Sequence, residues 1–135
     1  MAYLAEGRNV TMNNREIIEK WLSTFGRGVD RKMIEEHVTS HGNHLWHLFS
    51  WCEVECLEGE NARKAFDDLQ YDQAVKFCDG YSNRIRNVVN ITKISSEEVD
   101  RLEESDVYIV ANDFSWTYVR THETGICGPY FAKVK

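Results

Sequence analysis

The sequence predicts an α+β domain: an antiparallel sheet with an N-terminal αα-hairpin and further helices packed mainly on one face. Apolar residues recur at helical spacing in the first half of the chain, whereas the second half alternates like strands joined by hairpin-type turns. The sequence also carries no glycine-rich strand-to-helix turn of the GxGxxG or GxxxxGK(S/T) kind. A doubly wound nucleotide-binding sheet is therefore disfavoured, and no phosphate cradle is identified.

Residues 1–13 contain Gly7, Asn9 and Asn13 without sustained periodicity and read as a loose leader, with Met12 as an alternative start, so the single domain spans 14–135. Ile17, Ile18, Trp21, Leu22 and Phe25 share one helical face, with Asn14 as cap and Gly26 as a left-handed stop. A second helix runs from an Asp30 N-cap to Val38, with Met33, Ile34 and Val38 as its stripe, until Ser40, Gly42 and Asn43 break it. The aromatic run Leu45–Trp51, bounded by turn residues, predicts a buried strand. Ala62, Ala65, Phe66 and Leu69 predict a third helix over Glu60–Leu69, and Tyr71–Cys78 a strand. Ser95 and Glu98 have capping-box spacing ahead of Val99 and Leu102, marking a fourth helix that ends near Ser105. Val107–Ala111, the Asn112-Asp113 turn and Phe114–Thr121 form a predicted hairpin, and Pro129–Val134 a last strand beyond Gly125 and Gly128. Trp21, Phe25, Phe66, Ile109 and Val119 are the expected core.

The 135 residues are 42% hydrophobic and 28% charged with a single proline, enough apolar content for one packed core. The net charge of -6 disfavours nonspecific binding to nucleic acid or anionic lipid. No apolar run is long enough to span a bilayer, and the N-terminus lacks the apolar core of a signal peptide, which predicts a cytoplasmic protein. Cys52, Cys56, Cys78 and Cys127 are then expected as reduced thiols, and the sequons at Asn9 and Asn90 as silent.

Four histidines, His37, His41, His44 and His47, lie within eleven residues and make His41, His44 and His47 the nearest thing to a metal set. Gly42 and Asn43 interrupt the helix that would align them, and His44 and His47 in a strand would face opposite ways, so no bound metal and no cofactor is expected. Alternation places Phe114, Trp116, Tyr118 and Arg120 on one aromatic face, with His122 and Glu123 at the strand end where polar groups are displayed. If the protein is an enzyme, His122, Glu123 and His47 are its candidate acid–base residues, but no nucleophile signature accompanies them. Trp46, Trp116, Tyr118 and Tyr130 are the candidate ligand-binding aromatics.

Residues 52–72 hold seven carboxylates against Arg63 and Lys64, and residues 95–106 six against Arg101, so each stretch nets -5. Helices bearing Glu97, Glu98, Glu103 and Glu104 on a solvated face suit a basic partner, whose association should weaken with salt.

The segments Leu45–Ser50, Ala62–Phe66, Asp106–Val110, Trp116–Glu123 and Gly128–Phe131 together resemble a family of small, uncharacterised Bacillus-type bacterial proteins, a domain of unknown function. The resemblance covers 14–131 and implies no activity, cofactor or catalytic residue. The leading reading is thus a non-enzymatic cytoplasmic binding module that neutralises a basic protein such as a toxin. The alternative is a small enzyme or ligand-binding protein with an aromatic pocket around His47, Trp116 and His122. Burial of His122 in a concavity with Glu123 and His47 favours the alternative, and a flat acidic face the first.

Overall fold

The computed structural model describes residues 14–39, 44–50, 54–78, 88–103, 106–123 and 127–134. The leader 1–13, His41, Cys52, Glu104, Ser105 and Gly125 lie outside the described residues.

In chain order the elements are α1 (Asn14–Phe25), α2 (Arg31–His37), α3 (His47–Ser50), β1 (Leu57–Glu58), α4 (Glu60–Asp67), β2 (Gln73–Phe77), β3 (Val89–Thr92), α5 (Ser96–Asp100), β4 (Val107–Ala111), β5 (Trp116–Arg120) and β6 (Tyr130–Lys133). The strands form one six-stranded sheet in the order β1-β6-β5-β4-β2-β3. Every neighbouring pair is antiparallel. This is the α+β architecture the sequence predicts.

The helices divide between the two faces of the sheet instead of gathering mainly on one. Tyr108, Val110, Val119, Tyr130 and Ala132 point into a core shared with α1 and α3, including Trp21, Phe25 and Leu48. Val107, Ile109, Tyr118 and Phe131 point the other way, into a core with Ala62 and Phe66 of α4 and Val99 of α5. Covering both faces buries all five residues of β4 and all five of β5. The run Val107–Ala111 is apolar throughout for that reason, as in a strand packed on both sides. The five expected core residues are all buried.

Local chemistry sets the element ends. Asp30 caps α2 by accepting from Lys32 N. The Ser95–Glu98 capping box is complete, with each residue's side chain accepting from the other's backbone N–H. The helix it opens stops at Asp100, with Arg101 as C-cap, and so is shorter than the sequence suggests. Gly26 does not supply a left-handed stop. Its N–H still bonds Leu22 O at 2.8 Å, and a Cβ there would lie 2.6 Å from that carbonyl. Gly28, at φ 87°, takes the left-handed position instead.

Two further expectations give way to tertiary structure. Leu45–Trp51 is no strand among its described residues: Leu45 and Trp46 form a turn that leads into α3. The turn is fixed because Tyr108, from the sheet, accepts the Trp46 backbone N–H through its hydroxyl at 2.9 Å. Phe114 does not join the Trp116–Tyr118 face. It sits in the β4–β5 turn at φ 59° and packs into the core on the α1 side. β1 and β3 are strands that the sequence pattern does not announce. Both are short edge segments held by their neighbours, β1 by β6 and β3 by β2.

Candidate functional site

Where β5 runs out, the chain crosses back over the start of β4. Val107 pairs with Arg120, so Asp106 stands next to the residues that follow β5. One oxygen of Asp106 accepts from His122 N at 2.7 Å and from the His122 ring at Nδ1 at 2.9 Å. A carboxylate can only accept, so Nδ1 carries the proton, and proton exchange at this ring belongs to Nε2. That nitrogen lies 3.6 Å from a Glu123 carboxylate oxygen. The Asp106 side chain is only 11% exposed, whereas His122 is 46% exposed. A mostly buried acid thus orients a ring that reaches solvent, the arrangement used to hold an imidazole in one tautomer.

A second histidine is held in the same way from the other side. His47 Nδ1 lies 2.9 Å from the His37 carbonyl, which can only accept, so this ring too carries its proton on Nδ1. Because Leu45–Ser50 is a turn and a short helix, His44 and His47 fall on one side, with ring centroids 5.3 Å apart. A strand would have separated them. Trp46 lies between the histidines, edge-on to His47 at 4.4 Å and to His122 at 5.9 Å. It is 4% exposed, and its indole Nε1 is buried with no hydrogen-bond partner among the described residues.

These groups line a cavity of about 470 Å³ together with Ser50, Glu123 and Cys127. Burial, reinforced by Glu123, pushes the Cys127 thiol up and keeps it protonated, which argues against a thiolate nucleophile here. Tyr130 does not line the cavity: it is buried, its ring 5.5 Å from Phe49 and its hydroxyl pushed up by burial.

The structure therefore brings Trp46, His44, His47, His122 and Glu123 together and leaves Trp116, Tyr118 and Tyr130 out of the lining. Trp116 and Tyr118 face the opposite side of the sheet, where Tyr118 stacks on Phe66 at 4.1 Å. An aromatic pocket joining Trp116 to His47 and His122 is excluded, because β5 side chains alternate and Val119 is on the histidine side. Asp106 is the residue the sequence reading passed over. Its signal was available in the hairpin register, which places it beside the end of β5. Among the described residues, no group of three or more His, Cys, Asp or Glu side chains is placed to hold a metal ion. His41 lies outside them. Cys56, Cys78 and Cys127 are in no disulfide. Among the described residues, no helix is long and apolar enough to cross a membrane.

Comparison with protein families finds one model, a domain of unknown function (DUF4275), matching residues 9–131. The chain belongs to the DUF4275 family. No curated protein and no solved structure matches it. Within this DUF4275 chain the match takes in Trp46, His47, Asp106, His122 and Glu123, so the cavity lies wholly inside the shared domain.

Proposed function

We propose that the protein is a binding protein, not a covalent catalyst, that takes a small polar ligand in the His44–His47–His122 cavity. The observation that carries this reading is the convergence on one 470 Å³ cavity of two tautomer-fixed imidazoles, the Glu123 carboxylate and the Trp46 ring. Aromatic walls with a few convergent polar groups are what small-molecule sites require. His122 Nε2 and Glu123 then accept from the ligand's own O–H or N–H. The complementary molecule is small and carries a hydroxyl or amide N–H.

The test is a titration of the protein with glycerol, acetamide and urea as probes, followed through the histidine ring and tryptophan indole NMR resonances. Selective movement of the Trp46, His47 and His122 signals, lost in His122→Ala, supports the reading. Probes that move no ring signal, or that move them equally in His122→Ala, refute it.

A further inference from the structure

The polar atoms of the histidine cavity are mostly acceptors. His47 and His122 both carry their proton on Nδ1, anchored at 2.9 Å by the His37 carbonyl and by Asp106, so Nε2 is the acceptor of each ring. Glu123 can only accept. The Trp46 indole N–H is itself buried, and the Cys127 thiol, pushed up by burial and by Glu123, stays protonated and adds no charge. Neither lysine nor arginine is among the described residues that line the cavity. With neutral rings the cavity is therefore negative through Glu123. Asp106, outside the lining but hydrogen-bonded to the His122 ring, adds a second negative charge.

The spacing of two acceptors adds shape to this charge. His122 Nε2 and a Glu123 oxygen are 3.6 Å apart. That is longer than a hydrogen bond, so the two stand side by side without bonding each other. A planar group with two N–H donors on one edge can give one bond to each, and a positive charge on that group strengthens both.

We infer that the cavity takes a small planar cation with forked N–H donors, of the amidine or guanidine class, which bridges His122 Nε2 and the Glu123 carboxylate beside the Trp46 ring. This rests on the reading of the cavity as a small-ligand site and adds the charge and shape of the ligand. Asp106 acts without touching the ligand: it keeps the His122 proton on Nδ1 and so keeps Nε2 an acceptor.

The test pairs acetamidinium with acetamide, nearly equal in size and different in charge, and adds tetramethylammonium, a cation with no N–H. Each is titrated into the isotope-labelled protein at constant ionic strength and read from the His122 and Trp46 ring resonances. At about pH 8 acetamidinium should bind at least about tenfold more tightly than acetamide, and tetramethylammonium should leave the rings unmoved. Glu123→Gln, at a position 45% exposed, should cut that preference at least about fivefold. Acetamidinium affinity should also fall at least about fivefold from about pH 8 to about pH 5, because a proton at His122 Nε2 removes the acceptor and adds a like charge. The titratable groups around that ring are Asp106, Glu123, His44, His47 and Cys127. Protonation of either carboxylate or either histidine acts with the same sign. Equal affinity for acetamide and acetamidinium would overturn this inference and leave the cavity a site for neutral ligands. Tetramethylammonium binding as tightly as acetamidinium would reduce it to charge attraction and overturn it too, as would a preference unchanged in Glu123→Gln or an affinity unchanged at the lower pH. Probes that move no ring signal at all would remove the small-ligand reading of the cavity, and this inference with it.

Discussion

Thr117 holds the sheet to α1 through a single hydroxyl, and replacing it with valine should destabilise the protein by about 2 kcal/mol. Thr117, the second residue of β5, is fully buried. Its Oγ1 accepts from Trp21 Nε1 at 2.9 Å and donates to the Ile109 carbonyl at 2.8 Å. Valine nearly matches threonine in shape, so packing is retained and the change isolates the two hydrogen bonds. What remains is an indole N–H, on a side chain that is also fully buried, facing a methyl group. Leaving a buried donor unsatisfied costs about 1–3 kcal/mol, and the Ile109 carbonyl loses a donor as well. Thr117→Ser keeps the hydroxyl and gives up one methyl, worth about 0.8 kcal/mol. The serine variant should therefore be the more stable of the two, although it creates the larger void. Guanidinium unfolding followed by far-UV circular dichroism measures both, and a cycle with Trp21→Phe should return a coupling energy of about 1–2 kcal/mol. A Thr117→Val protein within about 0.5 kcal/mol of the wild type, or one more stable than Thr117→Ser, would refute the assignment of the hydroxyl as the link between helix and sheet.

Tyr108→Phe removes the acceptor of the Trp46 backbone N–H and should cost about 1–2 kcal/mol while loosening the α3 side of the cavity, seen as faster hydrogen exchange at Trp46 and His47. Ser95→Ala breaks the capping box and should cost about 1 kcal/mol in the same unfolding assay. Bonds from Ser95 hold Glu98 below its ordinary value of 4.5, so the stability it contributes is present above that value and lost as pH falls through the lower folded-state value. The wild type should accordingly lose stability between about pH 5 and pH 3 with a component that Ser95→Ala lacks, and parallel pH profiles would contradict this. Burial, with Glu58 adding to it, pushes the Cys56 thiol up to about 11. About one molecule in a thousand is then thiolate at pH 8, and iodoacetamide mapped by mass spectrometry should label Cys56 far more slowly than it labels glutathione.

What the sequence reveals of the fold depends on how local each signal is. The capping box, the Asp30 cap and the α1 stripe are settled within a single turn of chain, and they read directly. Leu45–Ser50 could not be read that way. Its aromatic content favours a strand, and what overrides it is a hydroxyl from Tyr108, sixty-two residues away in the chain. Gly26 failed similarly, since its bare Cα serves a close approach to Leu22 O and the left-handed turn falls two residues later at Gly28. The two-sided packing was written in the sequence. Val107–Ala111 is apolar without alternation, and a sheet with one solvated face has no use for such a strand.

The same parity argument governs the candidate site. His47 and Trp46 are held against the sheet by Tyr108, and Tyr108 shares its face with Val110, Val119 and Tyr130. Any partner of His47 drawn from β5 must therefore come from the Thr117 and Val119 set, or from beyond the strand end where alternation no longer applies. His122 satisfies the second condition, and Trp116 and Tyr118 satisfy neither. Asp106 follows once Val107 is paired with Arg120, because an antiparallel register that puts those two opposite leaves the preceding acid beside the turn. Composition counted Asp106 among the charges of a solvated acidic stretch. Register makes it a mostly buried acceptor committed to one imidazole, and the stretch is correspondingly less free to attract a partner than its formal charge suggests. The remaining acidity is concentrated instead on α4 and α5, where the exposed carboxylates Asp68 and Glu97 pair with Lys64 and Arg101.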